Sequence, residues 1–314
     1  MAIQNEVWAS VIQDVLFQTD LRFINNATRQ DDYINFKTVN LPQAGGGIGV
    51  SKNYAGALPA TVTQRVDTVN TYNIDEYSTD VIVVRYAEAL QVSYDKQASV
   101  VRQQANALAQ VIGSNIIKEW SLPTATGAVF TSGATVSTWL EGSQTGTRKL
   151  PTINDLLSLK RAMDLDLVPQ DNRFLMIPSS MFAALLTQDD IKNAISYYGF
   201  AQGANVLPEA KLPMIAGFQV VERPTVAAYA TGTTASALSL QTNGTYTLGA
   251  TDNLAALAFH SDFVATAFGG VQAFTGINND PQYIGGQSLM ALAMMGATKL
   301  RTDNKGVKML IMGS

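Results

Sequence analysis

The chain holds 314 residues, of which 46% are hydrophobic and only 15% charged, with a net charge of −4, one histidine and no cysteine. Lack of cysteine removes disulfides and thiolate metal sites, a single histidine removes multi-histidine zinc centres, and the scattered Lys and Arg form no basic run that would grip a phosphate backbone. The length allows one large domain or two, and a charged share below the ~25% usual in soluble domains points to surface that ends against protein, hence to an oligomer.

Residues 1–8 show neither the basic stretch nor the apolar run of a secretory signal, and a cysteine-free chain suits folding in a reducing cytoplasm. The Asn-x-Thr sequons at Asn26 and Asn243 are therefore expected to be chance matches. Over 5–17, Val7, Trp8, Val11, Ile12, Val15 and Leu16 recur at helical spacing behind a possible cap at Asn5. An ordinary core helix and an arm that docks elsewhere are equally open there. Residues 36–84 read as a long β-hairpin: a strand at 37–41, then Pro42, the run Gly45-Gly46-Gly47-Ile48-Gly49, and a Val/Thr/Tyr-rich return over 61–84. Thr61, Thr63, Gln64, Arg65, Asp67, Thr68, Asn70 and Thr71 make it polar, and such a ribbon has little core of its own. A neighbouring copy of the chain is the natural cover.

The period then changes. Val101, Ala105, Leu108, Ile112, Ile116 and Trp120 step by three or four through 94–120, one amphipathic helix of roughly 40 Å, with Ser93 or Asp95 to cap it and Pro123 just past its end. Residues 122–149, rich in Thr, Ser and Gly around an isolated Trp139, read as loop or short strands. Thr152-Ile153-Asn154-Asp155 predicts a capping box, with Asp in the usual Glu position, and a helix to about 164. Strands are expected at 173–177, 217–222 and 254–259, the first two stopped by Pro178 and Pro224, with a short helix at 179–186. Two strands close the chain, 287–300 and 306–312, around the turn signal Asp303-Asn304-Lys305-Gly306. The longest apolar run, 289–297, is far short of the ~20 residues of a membrane span. Its methionines read as core strand. No repeat stands out.

Sites for chemistry are scarce. His260 is the only histidine, and a Ser-His-Asp centre would have to use it. Its neighbours Ser261 and Asp262 lack the Gly-x-Ser-x-Gly elbow, so a hydrogen-bonding structural role is expected. The glycine run at 45–49 fits neither nucleotide-binding pattern, since Val50 falls where Gly-x-Gly-x-x-Gly needs its last glycine; it reads as a hinge or loop tip. The carboxylate pairs Asp31-Asp32, Asp75-Glu76, Asp164 with Asp166, and Asp189-Asp190 do not follow a calcium-loop pattern and read as caps, turns or solvated faces. No catalytic, cofactor-binding or metal-ligating residue is assigned.

The order of elements carries more than any motif. An N-terminal arm, a long polar hairpin, one spine helix, a compact α/β region and two closing strands together resemble the Hong Kong 97-type α+β fold of tailed-bacteriophage major capsid proteins. Phe36-Lys37-Thr38-Val39-Asn40-Leu41-Pro42-Gln43-Ala44-Gly45 resembles the strand opening that family's extended loop. Asn172-Arg173-Phe174-Leu175-Met176-Ile177-Pro178-Ser179 resembles the strand-helix unit of its axial domain, and Ile215-Ala216-Gly217-Phe218-Gln219-Val220 with Pro224 a later strand there. Residues 296–301, Asp303 and Gly306-Val307 resemble its closing strands.

The resemblance spans nearly the whole chain. It implies an N-terminal arm (1–36), an extended β-hairpin loop (37–85), a peripheral domain with the spine helix (86–150 and 260–300) and an axial domain (151–259 and 301–314). It also implies a non-enzymatic subunit that self-assembles through hexamers and pentamers into an icosahedral shell around double-stranded DNA. Expected locations are the virion and, during synthesis, the bacterial cytoplasm, with no membrane. In that family the extended loop lies over neighbouring subunits, which supplies the missing cover; Trp8, Ile12, Tyr54, Arg65 and Tyr72 are the expected assembly contacts. Some members carry a long N-terminal scaffolding region; here the arm starts close to Met1, so a separate scaffolding protein is expected, with a portal. Some members cross-link lysine to asparagine, but the spacing around Lys37 and Lys52 marks no such site. Three alternatives stay open: an encapsulin-like nanocompartment shell, a β-rich tail or adhesin protein, and a carbohydrate-active enzyme using an acidic pair.

Overall fold

The computed structural model describes residues 9–12, 21–43, 52, 64–85, 96–137, 140, 144–189, 191, 214–230, 240, 248–278 and 286–313. Residues 9–12 are helical. The strands that follow are β1 (Thr28–Arg29), β2 (Ile34–Asn35), β3 (Thr38–Gln43), β4 (Thr68–Asn73), β5 (Asp75–Ser78) and β6 (Ile82–Arg85). Helix α1 (Lys96–Trp120) leads to β7 (Val129–Phe130), β8 (Thr135–Val136) and β9 (Arg148–Lys149). Helix α2 (Ile153–Leu165), β10 (Arg173–Pro178) and α3 (Ser179–Leu186) come next, then β11 (Met214–Ile215), β12 (Phe218–Arg223), β13 (Ala227–Tyr229) and β14 (Asn253–His260). The chain closes with β15 (Val264–Asn278), β16 (Gly286–Lys299) and β17 (Val307–Ile311).

Three of the four sheets among the described residues organise this α+β molecule, the fourth being the two-stranded β8-β9. The largest runs β11-β12-β10-β14-β17-β7, with β13 also on β14. Its centre is buried on both sides: every residue of β10 and of β14 is buried, which is why their sequences are unbroken apolar runs instead of alternating ones. Phe174, Met176, Leu257, Phe259, Met309 and Ile311 face the core built on α1, while Leu175, Ile177, Ala256, Ala258 and Leu310 face the core under α2 and α3. The pleat of period two sorts each strand between two cores.

A second sheet, β1-β15-β16-β5 with β6 also on β16, carries α1 across it. All six residues of the predicted helical stripe are buried. Trp120, wholly buried, joins the parts: its Nε1 donates to the Ala265 carbonyl at 3.2 Å, and its ring meets Phe23 edge-on at 5.6 Å and Phe259 at 5.1 Å, with Phe174 stacked on Phe259. The Lys299 ammonium donates to the carbonyls of Glu119 and Ser121, placing a cation at the negative end of α1. The third sheet, β2-β3-β4, is the ribbon predicted from sequence.

Two expectations shift. The return strand does not stay with the hairpin to 84: β4 pairs with β3, but β5 and β6 cross to β16. Nor is the ribbon without a core, because Val39, Leu41 and Tyr72 close over Ile74 and Ala267. The capping box forms as predicted, with the Thr152 hydroxyl accepting from Asp155 N–H and the Asp155 carboxylate accepting from Thr152 N–H. Trp139 lies outside the described residues.

Candidate assembly surface

The ribbon has two unlike faces. β3 and β4 pair from Thr38↔Asn73 to Gln43↔Thr68. On the inner face the Tyr72 hydroxyl donates to Gln30 Oε1 at 3.1 Å, and the Asn70 amide donates to the Lys299 carbonyl at 3.2 Å. Burial, and secondarily the charge of Asp31, pushes the Tyr72 phenol well above its ordinary value. Gly296 lets the ribbon root lie directly on β16, since a Cβ there would sit 2.7 Å from the Asn73 carbonyl oxygen.

The outer face is left bare. Val69, on the face of β4 opposite Tyr72, is 62% exposed, and Val66, in the non-strand segment leading into β4, is 73% exposed. Phe36 occupies the two-residue turn between β2 and β3, is 96% exposed and has φ +57. A phenylalanine held in the left-handed region with its ring in water is unfavourable on both counts. Tyr33, in the short turn before β2, is 59% exposed.

A second bare patch lies on α2. Leu157 and Leu165, on one side of the helix with the exposed Arg161 midway between them, are 49% and 72% exposed. Just beyond the helix, Leu167 combines 88% exposure with φ +59.

Of the five residues expected at assembly contacts, Trp8 and Tyr54 lie outside the described residues. Ile12 and Tyr72 are buried within the subunit, Ile12 against α1 and Tyr72 under the ribbon, so neither side chain offers itself to a neighbour. Arg65 is on the surface, held by Asp67 at 2.7 Å. Phe36, Val66, Val69 and the α2 leucines were not singled out from sequence. Counting by twos from Tyr72 along β4 puts Val69 on the opposite face, and that signal was there to use.

The residues of possible chemistry have structural partners. His260 is buried, and its Nδ1 accepts the Asp262 N–H at 3.1 Å, capping the turn from β14 into β15. Burial holds its pKa below the ordinary histidine value. The Ser261 hydroxyl donates to Asp262 at 3.1 Å. Arg173, also buried, reaches Asp164 and the Val168 and Pro169 carbonyls. Among the described residues no cluster of three or more His, Cys, Asp or Glu is arranged to hold a metal ion, and no helix is long and apolar enough to cross a membrane.

No protein-family model and no curated protein matches the chain. Solved structures do. The capsid asymmetric unit of cyanophage Pam1 superposes with a TM-score of 0.66 at 13% identity, covering 95% of this chain and 92% of that one. The fold is the Hong Kong 97-type capsid fold. A Mycobacterium phage Che8 structure gives 0.60 at 17% identity over 92% and 90% of the two chains. The virus-like particle of Pyrococcus furiosus gives 0.55 at 12% identity over 98% and 99%. On the division expected from sequence, the sheet carrying α1 would be the peripheral sheet, the seven-stranded sheet the axial one, and the ribbon the root of the extended loop.

Proposed function

We propose that the chain is the major shell subunit of a tailed bacteriophage, a structural protein and not an enzyme, assembling through hexamers and pentamers into a closed icosahedral capsid around double-stranded DNA. The observation that carries this is the superposition of 92–95% of the chain on phage capsid structures. The exposed apolar side chains on the ribbon and on α2 support it, as side chains that a neighbouring copy would cover. In this reading the arm is 1–36, the peripheral domain 86–150 and 260–300, and the axial domain 151–259 and 301–314. The extended loop, 37–85 from sequence, effectively ends at Asn73, because β5 and β6 belong to the peripheral sheet. A net charge of −4 suits a wall that holds DNA without adhering to it. A separate scaffolding protein and a portal complete the assembly, and the virion is its location.

Electron microscopy of the purified protein tests the reading: closed shells are expected, and rods, tubes or monomers with turnover would overturn it. Replacing residues 44–66 by a short Gly-Ser linker spares the buried contacts of Val39 and Tyr72, so a folded subunit that makes no shells is expected. The Pyrococcus match keeps a nanocompartment as the second reading. Nuclease-protected DNA inside particles from infected cells supports the capsid; a protein cargo supports the compartment.

A further inference from the structure

Strand β5 is an outer strand of the peripheral sheet. It pairs with β16 from Leu292↔Ser78 to Met295↔Asp75 and with no described strand on its other side. Two clefts open between it and α1, of about 360 and 460 Å³, and Tyr77 lines both. On the helix they are bordered by Ala107, Val111, Asn115 and Glu119. These positions are four apart, one stripe running roughly 18 Å along α1. Leu108, Ile116 and Met295 give the groove an apolar floor, and Val111 is 38% exposed.

The rim has one sign of charge. Asp75, Glu76, Asp80 and Glu119 line the clefts and are exposed, and no Lys or Arg lines either. None of the four carboxylates has an ion-pair partner within 4.0 Å among the described residues. Lys299, beside Glu119, directs its ammonium to the helix-end carbonyls instead. An open strand edge is a template for another strand, and carboxylates along it repel neutral or acidic segments that would otherwise add there.

We propose that this groove docks an extended, lysine- or arginine-bearing segment of a separate protein. The segment adds to the free edge of β5, sets its cations among Asp75, Glu76, Asp80 and Glu119, and lays its alternate apolar side chains on Leu108 and Val111, as the period of two in a strand allows. A second copy of this chain fits less well. It brings a net charge of −4. The groove lies within one subunit, so this inference stands apart from shell formation and is tested separately from it.

The test titrates the full chain into three labelled octapeptides: alternating lysine and valine, alternating glutamate and valine, and alternating lysine and proline. The lysine–valine peptide is expected to bind, and to weaken with added salt. The glutamate peptide should not bind, and the proline peptide, which lacks N–H groups for the edge, should bind about tenfold more weakly or worse, a loss of about 1.4 kcal/mol. Glu76→Gln/Asp80→Asn/Glu119→Gln should lose about as much affinity with its melting temperature kept, and Asp32→Asn, outside the groove, should lose none. Equal binding of the lysine and glutamate peptides, or of native and triple variant, overturns the proposal. So does a triple variant that loses self-association and keeps peptide binding, since the occupant would then be a second copy.

Discussion

Strands β14 and β4 put similar backbone to opposite uses. All eight residues of β14 are buried, with neighbours on both edges and a core on both faces. Only Tyr72 of the six in β4 is buried, and the outer face has no cover among the described residues. A strand enclosed on both faces places its stabilisation inside the subunit. A strand enclosed on one face leaves apolar area to be buried elsewhere, and in a shell that place is the next copy. The axial sheet should therefore govern folding and the ribbon should govern assembly, and substitutions can separate the two.

The largest effect is expected in the enclosed sheet. Phe259, wholly buried between Trp120 and Phe174, links the axial sheet to the spine helix. Phe259→Ala should cost about 3–5 kcal/mol in denaturant unfolding. A loss below about 1 kcal/mol would mean that the junction is not packed as described. His260, at the end of the same sheet, gives that stability a pH dependence. Its folded pKa is lowered, foremost by burial, so the unfolded chain takes up the proton first. The contribution is complete above the ordinary histidine value of about 6.5 and declines as pH falls below it. Unfolding midpoints at pH 7.5 and 5.5 should differ more for the native chain than for His260→Gln; equal slopes would remove His260 from the account.

An intermediate effect belongs to α2, whose start is fixed by side chains on its own first turn. Thr152→Ala removes the hydroxyl that accepts Asp155 N–H and should cost about 1 kcal/mol, read as a lower melting temperature without loss of shells. The Asp155 carboxylate also accepts from the Ser132 N–H and hydroxyl, so Asp155→Ala should cost more than Thr152→Ala.

What could be read in advance follows the same division. The spine helix, the capping box, β10, β14 and the turn at 303–306 are specified by residues close together in sequence, and each was legible. β15 was not. No strand was expected over its fifteen residues, which include Gly269, Gly270 and Gly276; in the fold a bulge between Phe268 and Gly270, with φ +116 at Gly270, absorbs the irregularity, and β16 imposes the strand. The departure of β5 and β6 from the ribbon is set by β16, some two hundred residues later, and nothing local announces it. The assembly residues were the least legible. Arg65 and Tyr72 were expected there, but an aromatic on a strand is as readily an inward anchor, which Tyr72 is.

The smallest effect on folding should accompany the clearest effect on assembly. Val66 and Val69 are 73% and 62% exposed in the subunit, so Val66→Ser/Val69→Ser changes little that folding buries, and stability should stay within about 0.5 kcal/mol of native. Their neighbours argue the same way, since Tyr72 and Asn70 hold the inner face independently of the outer one. In the proposed shell Val69 and the neighbouring Val66 would be covered in every copy. Withdrawing two valines from each such contact forfeits about 25 cal/mol for every Å² of apolar area they would bury, repeated at each interface. The concentration needed for shell formation, followed by light scattering, should therefore rise while the melting temperature holds. Unchanged assembly with unchanged stability would mean that the outer face of the ribbon stays in water, and the exposed Leu157 and Leu165 on α2 would then have to carry the contact.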